Sequence, residues 1–175
     1  MAAYDIRVIG DPVLRQKAKD VTEIDDALLR LVDDMLETMY AAPGIGLAAP
    51  QIGVDKRLFV WDIGTGPNAM INPEIVDSDG EWVFEEGCLS VPGLSWEIVR
   101  PKQIHIVGRD LEGNEVSFEA DELESRMFQH EFDHLDGTLL IERLDDDTRK
   151  AALRTLRDLQ IGRPEKPAGG GLSLP

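Results

Sequence analysis

His130-Glu131-Phe132-Asp133-His134 places two of the chain's three histidines four residues apart, with a carboxylate beside the first. On a helix this spacing sets both imidazoles on one face, one turn apart, so that a single divalent cation can reach both while Glu131 stands within reach of a water at that cation. The chemistry this implies is metal-assisted hydrolysis with Glu131 as general base. The alternative is a solvated or core helix that carries two histidines and no metal, and the rest of the chain decides between them. The helix is expected to begin near Asp121, which can cap it, with Glu124 three residues on completing a box and Gly137 closing it in the left-handed conformation. Leu123, Met127, His130 and His134 then share a face.

Composition limits what such a helix can belong to. A chain of 175 residues with 42% hydrophobic side chains fits one globular domain, expected over residues 1–162, with a real core. The Pro/Gly-rich residues 163–175 have no face to bury and are expected to be disordered. A net charge of −16 disfavours wrapping nucleic acid or lying on anionic lipid. The exception is local: residues 149–166 hold Arg149, Lys150, Arg154, Arg157, Arg163 and Lys166 against Asp158 and Glu165. No run of about 18 apolar residues occurs, and Met1-Ala2-Ala3-Tyr4-Asp5 does not open like a secretory signal, so a cytoplasmic protein without a membrane span is expected. Cys88 is the only cysteine, which rules out an internal disulfide and leaves it as filler or as a ligand.

The remaining elements follow from periodicity. Asp11-Pro12 reads as a capped short helix start. Ile24, Leu28, Leu31, Val32, Met35, Leu36 and Met39 recur at helical spacing up to the Pro43-Gly44 stop, with the methionines as core filler. Strand-like stretches follow at residues 57–63, 69–76, 81–86, 96–99, 104–109 and 115–120, the last two joined as a hairpin through Asp110-Leu111-Glu112-Gly113-Asn114. His105 falls inside a strand and reads as structural. A last helix over about Asp147 to Ile161 is expected to turn Ala152, Leu153, Leu156 and Leu159 inward and its basic residues outward.

A catalytic site of this type needs a third protein ligand. After His134 the chain reads Leu135-Asp136-Gly137-Thr138-Leu139-Leu140, with leucine where a metzincin places its third histidine. A downstream carboxylate, as in thermolysin-like enzymes, would have to be Glu142 or Asp158, and neither stands in a motif. Cys88 is the better candidate, because a thiolate is an excellent ligand for a borderline metal. It ends a strand in Glu86-Gly87-Cys88-Leu89-Ser90, ahead of a Pro92-Gly93 turn, and Gly87 lets another backbone come close. Glu86 is expected to pair with Arg100 and hold this loop. Arg126, one turn before His130, is read either as reaching the pocket mouth or, slightly preferred, as a solvated helix residue.

Gly44-Ile45-Gly46-Leu47-Ala48-Ala49-Pro50-Gln51, Glu86-Gly87-Cys88-Leu89-Ser90 and Gln129-His130-Glu131-Phe132-Asp133-His134, in this order, closely resemble the three signature segments of peptide deformylase, over about residues 5 to 160. The resemblance implies a compact α+β fold, a single domain of antiparallel sheets packed around the central metal-binding helix, with a C-terminal helix. It implies one divalent metal on Cys88, His130 and His134, iron(II) by family, although such a ligand set also accepts zinc, nickel or cobalt. Glu131 is then proton carrier, and the Gln51 amide and Leu89 N–H are oxyanion donors. Gly46 and Gly87 become the points where the substrate backbone runs, and Ile45, Leu123, Met127 and His130 become walls for the methionine side chain. The implied substrates are N-formylmethionyl nascent peptides, and the basic C-terminal helix is a candidate for docking on the ribosome, with a solvated face as its alternative. Two other functions stay open at this point: a scaffold that binds metal or nascent chains without turnover, and a zinc endopeptidase.

Overall fold

The computed structural model describes residues 3–161. Helix α1 spans Asp26–Ala41, with the Asp25 carboxylate accepting the Leu28 N–H at 2.8 Å to satisfy one of the orphan donors of the first turn. Strand β1 (Gly46–Ala48) and a 3₁₀ turn (Ala49–Ile52) follow, then β2 (Leu58–Trp61), β3 (Asn68–Asp79), β4 (Trp82–Cys88), β5 (Val91–Arg100), β6 (Gln103–Arg109) and β7 (Glu115–Asp121). Helix α2 covers Glu122–Leu135, and α3 covers Asp146–Ile161. A five-stranded antiparallel sheet has the order β1-β2-β3-β6-β7, and β4 and β5 form a separate antiparallel hairpin.

Strand β2 is buried along its whole length because it is covered on both sides. Phe59 and Trp61 pack with Met70, Ile106, Met127, Phe128 and Leu135 toward α2, while Leu58 and Val60 pack with Leu28, Val32, Met35 and Met39 of α1. Phe128 meets Trp61 edge-on with ring centroids 5.0 Å apart. It lies two residues from His130, nearly opposite on the helix, so docking this ring aims the motif face away from the sheet. Gly137 closes α2 at φ +72, where an added Cβ would stand 2.7 Å from the Arg15 carbonyl oxygen. Arg57 donates to the Leu135 carbonyl at 3.1 Å and to the Asp136 carboxylate at 2.8 Å, so the last turn of α2 is held by a buried cation.

Several elements differ from the sequence reading. No Asp121–Glu124 box forms: Asp121 accepts the adjacent Glu122 N–H, and Glu122 at φ +47 turns β7 straight into the helix. Pro92-Gly93 is not a turn but part of β5. The pairs Gly87↔Ser95 and Cys88↔Val91 leave Pro92, Gly93 and Leu94 as a bulge, and the reversal is made by Leu89 and Ser90. Strand β1 was not anticipated, and β3 runs longer than its apolar stretch because it pairs with both β2 and β6. On α3, Ala152 and Leu156 are buried, but Leu153 and Leu159 are 38% and 50% exposed. Leu153 is rotated a quarter turn off that face, and Leu159 shares the face but lies a turn beyond the last residue the body covers. The tail from residue 163, with Arg163 and Lys166, lies outside the described residues.

Candidate active site

The hairpin β4–β5 and helix α2 converge on one point. The Cys88 thiol and a ring nitrogen of each of His130 and His134 lie within 4.8 Å of one another, with Cys88 Sγ 3.3 Å from His134 Nε2. His130 Nδ1 is 2.7 Å from Glu86 Oε1, which fixes that nitrogen as the hydrogen-bonding one and leaves Nε2 for a ligand. Glu142 and Asp158 play no part. Glu142 accepts the Leu139 N–H at 2.8 Å and pairs with Arg15, while Asp158 is exposed on α3.

The electrostatics suit a cation at this point. Burial pushes the Cys88 thiol up, but His134 and His130 outweigh it and hold the thiol well below its ordinary range. Burial likewise works against charge on His130, yet Cys88 and Glu86 raise its proton affinity well above that of a free imidazole. A single proton answers this field at one donor, whereas a divalent cation answers it at all three. One thiolate and two imidazoles are a donor set for zinc, iron(II), nickel or cobalt.

Glu131 stands over the trio, 4% exposed, with Oε2 buried and without a hydrogen-bond partner among the described residues. Burial raises its carboxyl above the usual range although the two histidines pull it down. The strand β1 makes this position accessible, because a Cβ on Gly46 would lie 2.6 Å from Glu131 Oε1. At Gly87 an added Cβ would meet only ordinary contact, at 3.5 Å from the Leu94 carbonyl oxygen. Gln51 is 1% exposed in the turn after β1. Its Oε1 accepts the Ala48 N–H at 2.9 Å, and its Nε2 lies 3.3 Å from Ser90 Oγ and 4.0 Å from Cys88 Sγ. Leu89 sits in the two-residue turn beside the ligand.

Behind the ligands lies a buried ionic chain. Arg100 donates to both oxygens of Glu86 at 2.9 Å and to Asp133 at 2.9 Å, and Arg143 clasps Asp133 from the far side. Arg126 donates to Glu86 at 2.5 Å and to the Trp82 carbonyl, with its guanidinium over the stacked Trp82 and Phe84 rings. At 2% exposure Arg126 is not a solvated residue. It sits there because Glu86, buried against His130, needs more than one cation, as a lone buried carboxylate cannot stay ionised. Burial pushes Glu86 up, but His130 and Arg100 hold it well below the carboxylate range.

The site opens into a cleft of about 1930 Å³. Its walls include Ile45, Leu123, Met127 and His130, the four that the resemblance implies, together with Glu131; Ile45 and Leu123 are 44% and 45% exposed at the mouth, and Met127 is buried. Arg126 also lines it, the less favoured of its two sequence readings, and so do Phe84 and the N-terminal segment 3–11, which the sequence reading did not include. For Phe84 the available signal was an aromatic two residues before Glu86 on the same strand face.

A thiolate and two imidazoles around one point, a buried carboxylate above them and an open cleft define the site of a metal-dependent hydrolase. A family model described as polypeptide deformylase matches residues 3–150. The chain is 53% identical over 143 residues to a peptide deformylase of Clostridium botulinum, covering 82% of this chain and 97% of that one. The crystal structure of a peptide deformylase from Thermotoga maritima superposes with a TM-score of 0.81 at 49% identity, over 83% of this chain and 99% of that chain. The corresponding structure from Thermus thermophilus gives 0.86 at 44% identity, over 91% and 96%. The chain belongs to the peptide deformylase family, and is an enzyme of that metallohydrolase class.

Proposed function

We propose that the chain hydrolyses the N-formyl group from the N-terminal methionine of newly made polypeptides, releasing formate, with the metal on Cys88, His130 and His134. The observation that carries this is the convergence of those three donors beneath a buried, unpartnered Glu131 oxygen. When bound, the metal, iron(II) in this reading, supplies an acidified water and a Lewis-acid pull on the formyl carbonyl. Glu131 accepts the proton of the attacking water and returns it to the peptide nitrogen as the formyl C–N bond breaks, a double role that its raised proton affinity suits. The Gln51 Nε2–H and the Leu89 backbone N–H donate to the oxyanion that develops on the formyl oxygen. β1 is an edge strand of the sheet, so its free side at Gly46 can pair with an extended peptide, and Gly87 offers a second close approach. Ile45, Leu123, Met127 and His130 enclose the methionine side chain.

The zinc endopeptidase reading loses its support once Cys88, not a downstream carboxylate, stands with the histidines. A binding scaffold has no use for a base in Glu131's position. Working on nascent chains places the enzyme in the cytoplasm, and no helix among the described residues is long and apolar enough to cross a membrane. The basic residues of α3, together with exposed Leu153, offer the ribosome a cationic, partly apolar face on an acidic protein.

The test is turnover of formyl-methionyl against free methionyl peptides by anaerobically purified, iron-loaded protein. Formate release from the first alone is expected, with Glu131→Ala slower by about 100-fold or more and its metal retained. Cleavage of unformylated internal bonds, or no turnover with metal in place, would overturn the reading.

A further inference from the structure

We infer that Ser90 is a positioning residue that sets the angle of the Gln51 amide, an inference that rests on the reading of Gln51 as an oxyanion donor. Gln51 and Ser90 are each 1% exposed, so neither side chain can turn to water for a partner. The Gln51 amide is held from both ends. Its oxygen accepts the Ala48 N–H at 2.9 Å, which settles which end is oxygen and which is nitrogen. Its nitrogen carries two protons, and Ser90 Oγ at 3.3 Å accepts one of them. The second is left on the side of Cys88 Sγ, 4.0 Å away, which is the side from which the formyl oxygen must come to meet both the ligands and Gln51.

The Ala48 contact alone does not fix the amide plane, because the group can swing about its terminal torsion while keeping one accepted bond, and such torsions are broad. Ser90 removes that freedom. It is itself fixed: its carbonyl accepts the Ile9 N–H at 2.8 Å, and it forms half of the two-residue turn whose other half, Leu89, offers the second donor. Both oxyanion donors are thereby referenced to one turn, and Ser90 is the link that ties the donor from the β1 side to the donor on the ligand hairpin.

Ser90→Ala is expected to lower kcat by about 10-fold or more, less than outright loss of a donor, with KM within about two-fold and metal content unchanged. In the nitrogen-15 relaxation of the zinc-loaded protein, the Gln51 side-chain amide should become more mobile. In a Gln51→Ala background, Ser90→Ala should cost nothing further. The isosteric pair Ser90→Thr and Ser90→Val guards against a packing effect: threonine keeps the acceptor and should keep most of kcat, and valine should lose it. Unchanged kcat in Ser90→Ala, an equal loss with and without Gln51, or equal loss in Thr and Val overturns the role of Ser90. Full activity in Gln51→Ala would instead overturn the reading of Gln51 and take this inference with it, so the two failures are told apart.

Discussion

An alanine methyl at Gly46 would stand 2.6 Å from Glu131 Oε1, closer than side chains come, and the backbone on one side and a packed helix on the other leave the carboxylate as the part that must move. Gly46→Ala is therefore expected to cut kcat by about 100-fold, the usual consequence of displacing a reacting group by an ångström, while metal content stays intact. Steady-state kinetics with metal analysis checks this, and an unchanged kcat refutes it. Glu86 sets a different test. Replacing it by glutamine leaves Arg100, Arg126 and His130 without their shared anion, which should weaken metal binding by about 10- to 100-fold and destabilise the fold by about 3–5 kcal/mol. The folded-state carboxyl is depressed below its unfolded value near about 4.3, so its contribution is complete above that pH and drains away as the pH falls toward the folded value. Urea unfolding of the wild type between pH 5 and pH 3 should lose stability more steeply than Glu86→Gln, and parallel slopes would show that Glu86 carries no such linkage.

At the level of elements, α2 works as a lever whose fulcrum is Phe128, buried among Trp61, Phe59 and Phe118. Phe128→Ala should cost about 3–5 kcal/mol in denaturant unfolding and loosen the metal site that shares the helix, whereas a loss under 1 kcal/mol would mean the helix is aimed by its ends alone. This helix, α1 and the β6–β7 hairpin were legible because each spans enough residues for a period to show. β1 was not: Gly46-Leu47-Ala48 is too short to alternate and is a strand only because β2 pairs with it. The Pro92-Gly93 bulge reads locally as a turn, and only the partner register of β4 shows otherwise. The grouping of Cys88, His130 and His134 with Glu131 could be expected from spacing and donor chemistry, but the burial of Arg126 could not, since its partner Glu86 lies 40 residues away and nothing local requires the pairing. Ser90 escaped for the same reason, being 39 residues from the amide it holds.

Across the molecule, charge is segregated, with a net −16 overall and a basic face on α3. Changing Arg149, Lys150, Arg154 and Arg157 to glutamate should leave turnover of short formyl-peptides untouched and abolish co-sedimentation with ribosomes at low salt, since that attraction is screened over about 10 Å at 0.1 M. Retained co-sedimentation would assign α3 to solvent. One edge of the five-stranded sheet, β1, meets the cleft at Gly46, where the proposed peptide substrate would lie. An edge kept free for a substrate is equally free for a neighbouring molecule's strand, and exposed edges are where sheet proteins stick together. Here the edge strand is only the three buried residues Gly46–Ala48, with the Ala48 N–H already taken by Gln51 and only Gly46 reaching the cleft, too short to seed a ladder between copies on a strongly anionic body. The same brevity that hid this strand from the sequence lets the enzyme hold out a binding edge without becoming its own aggregate.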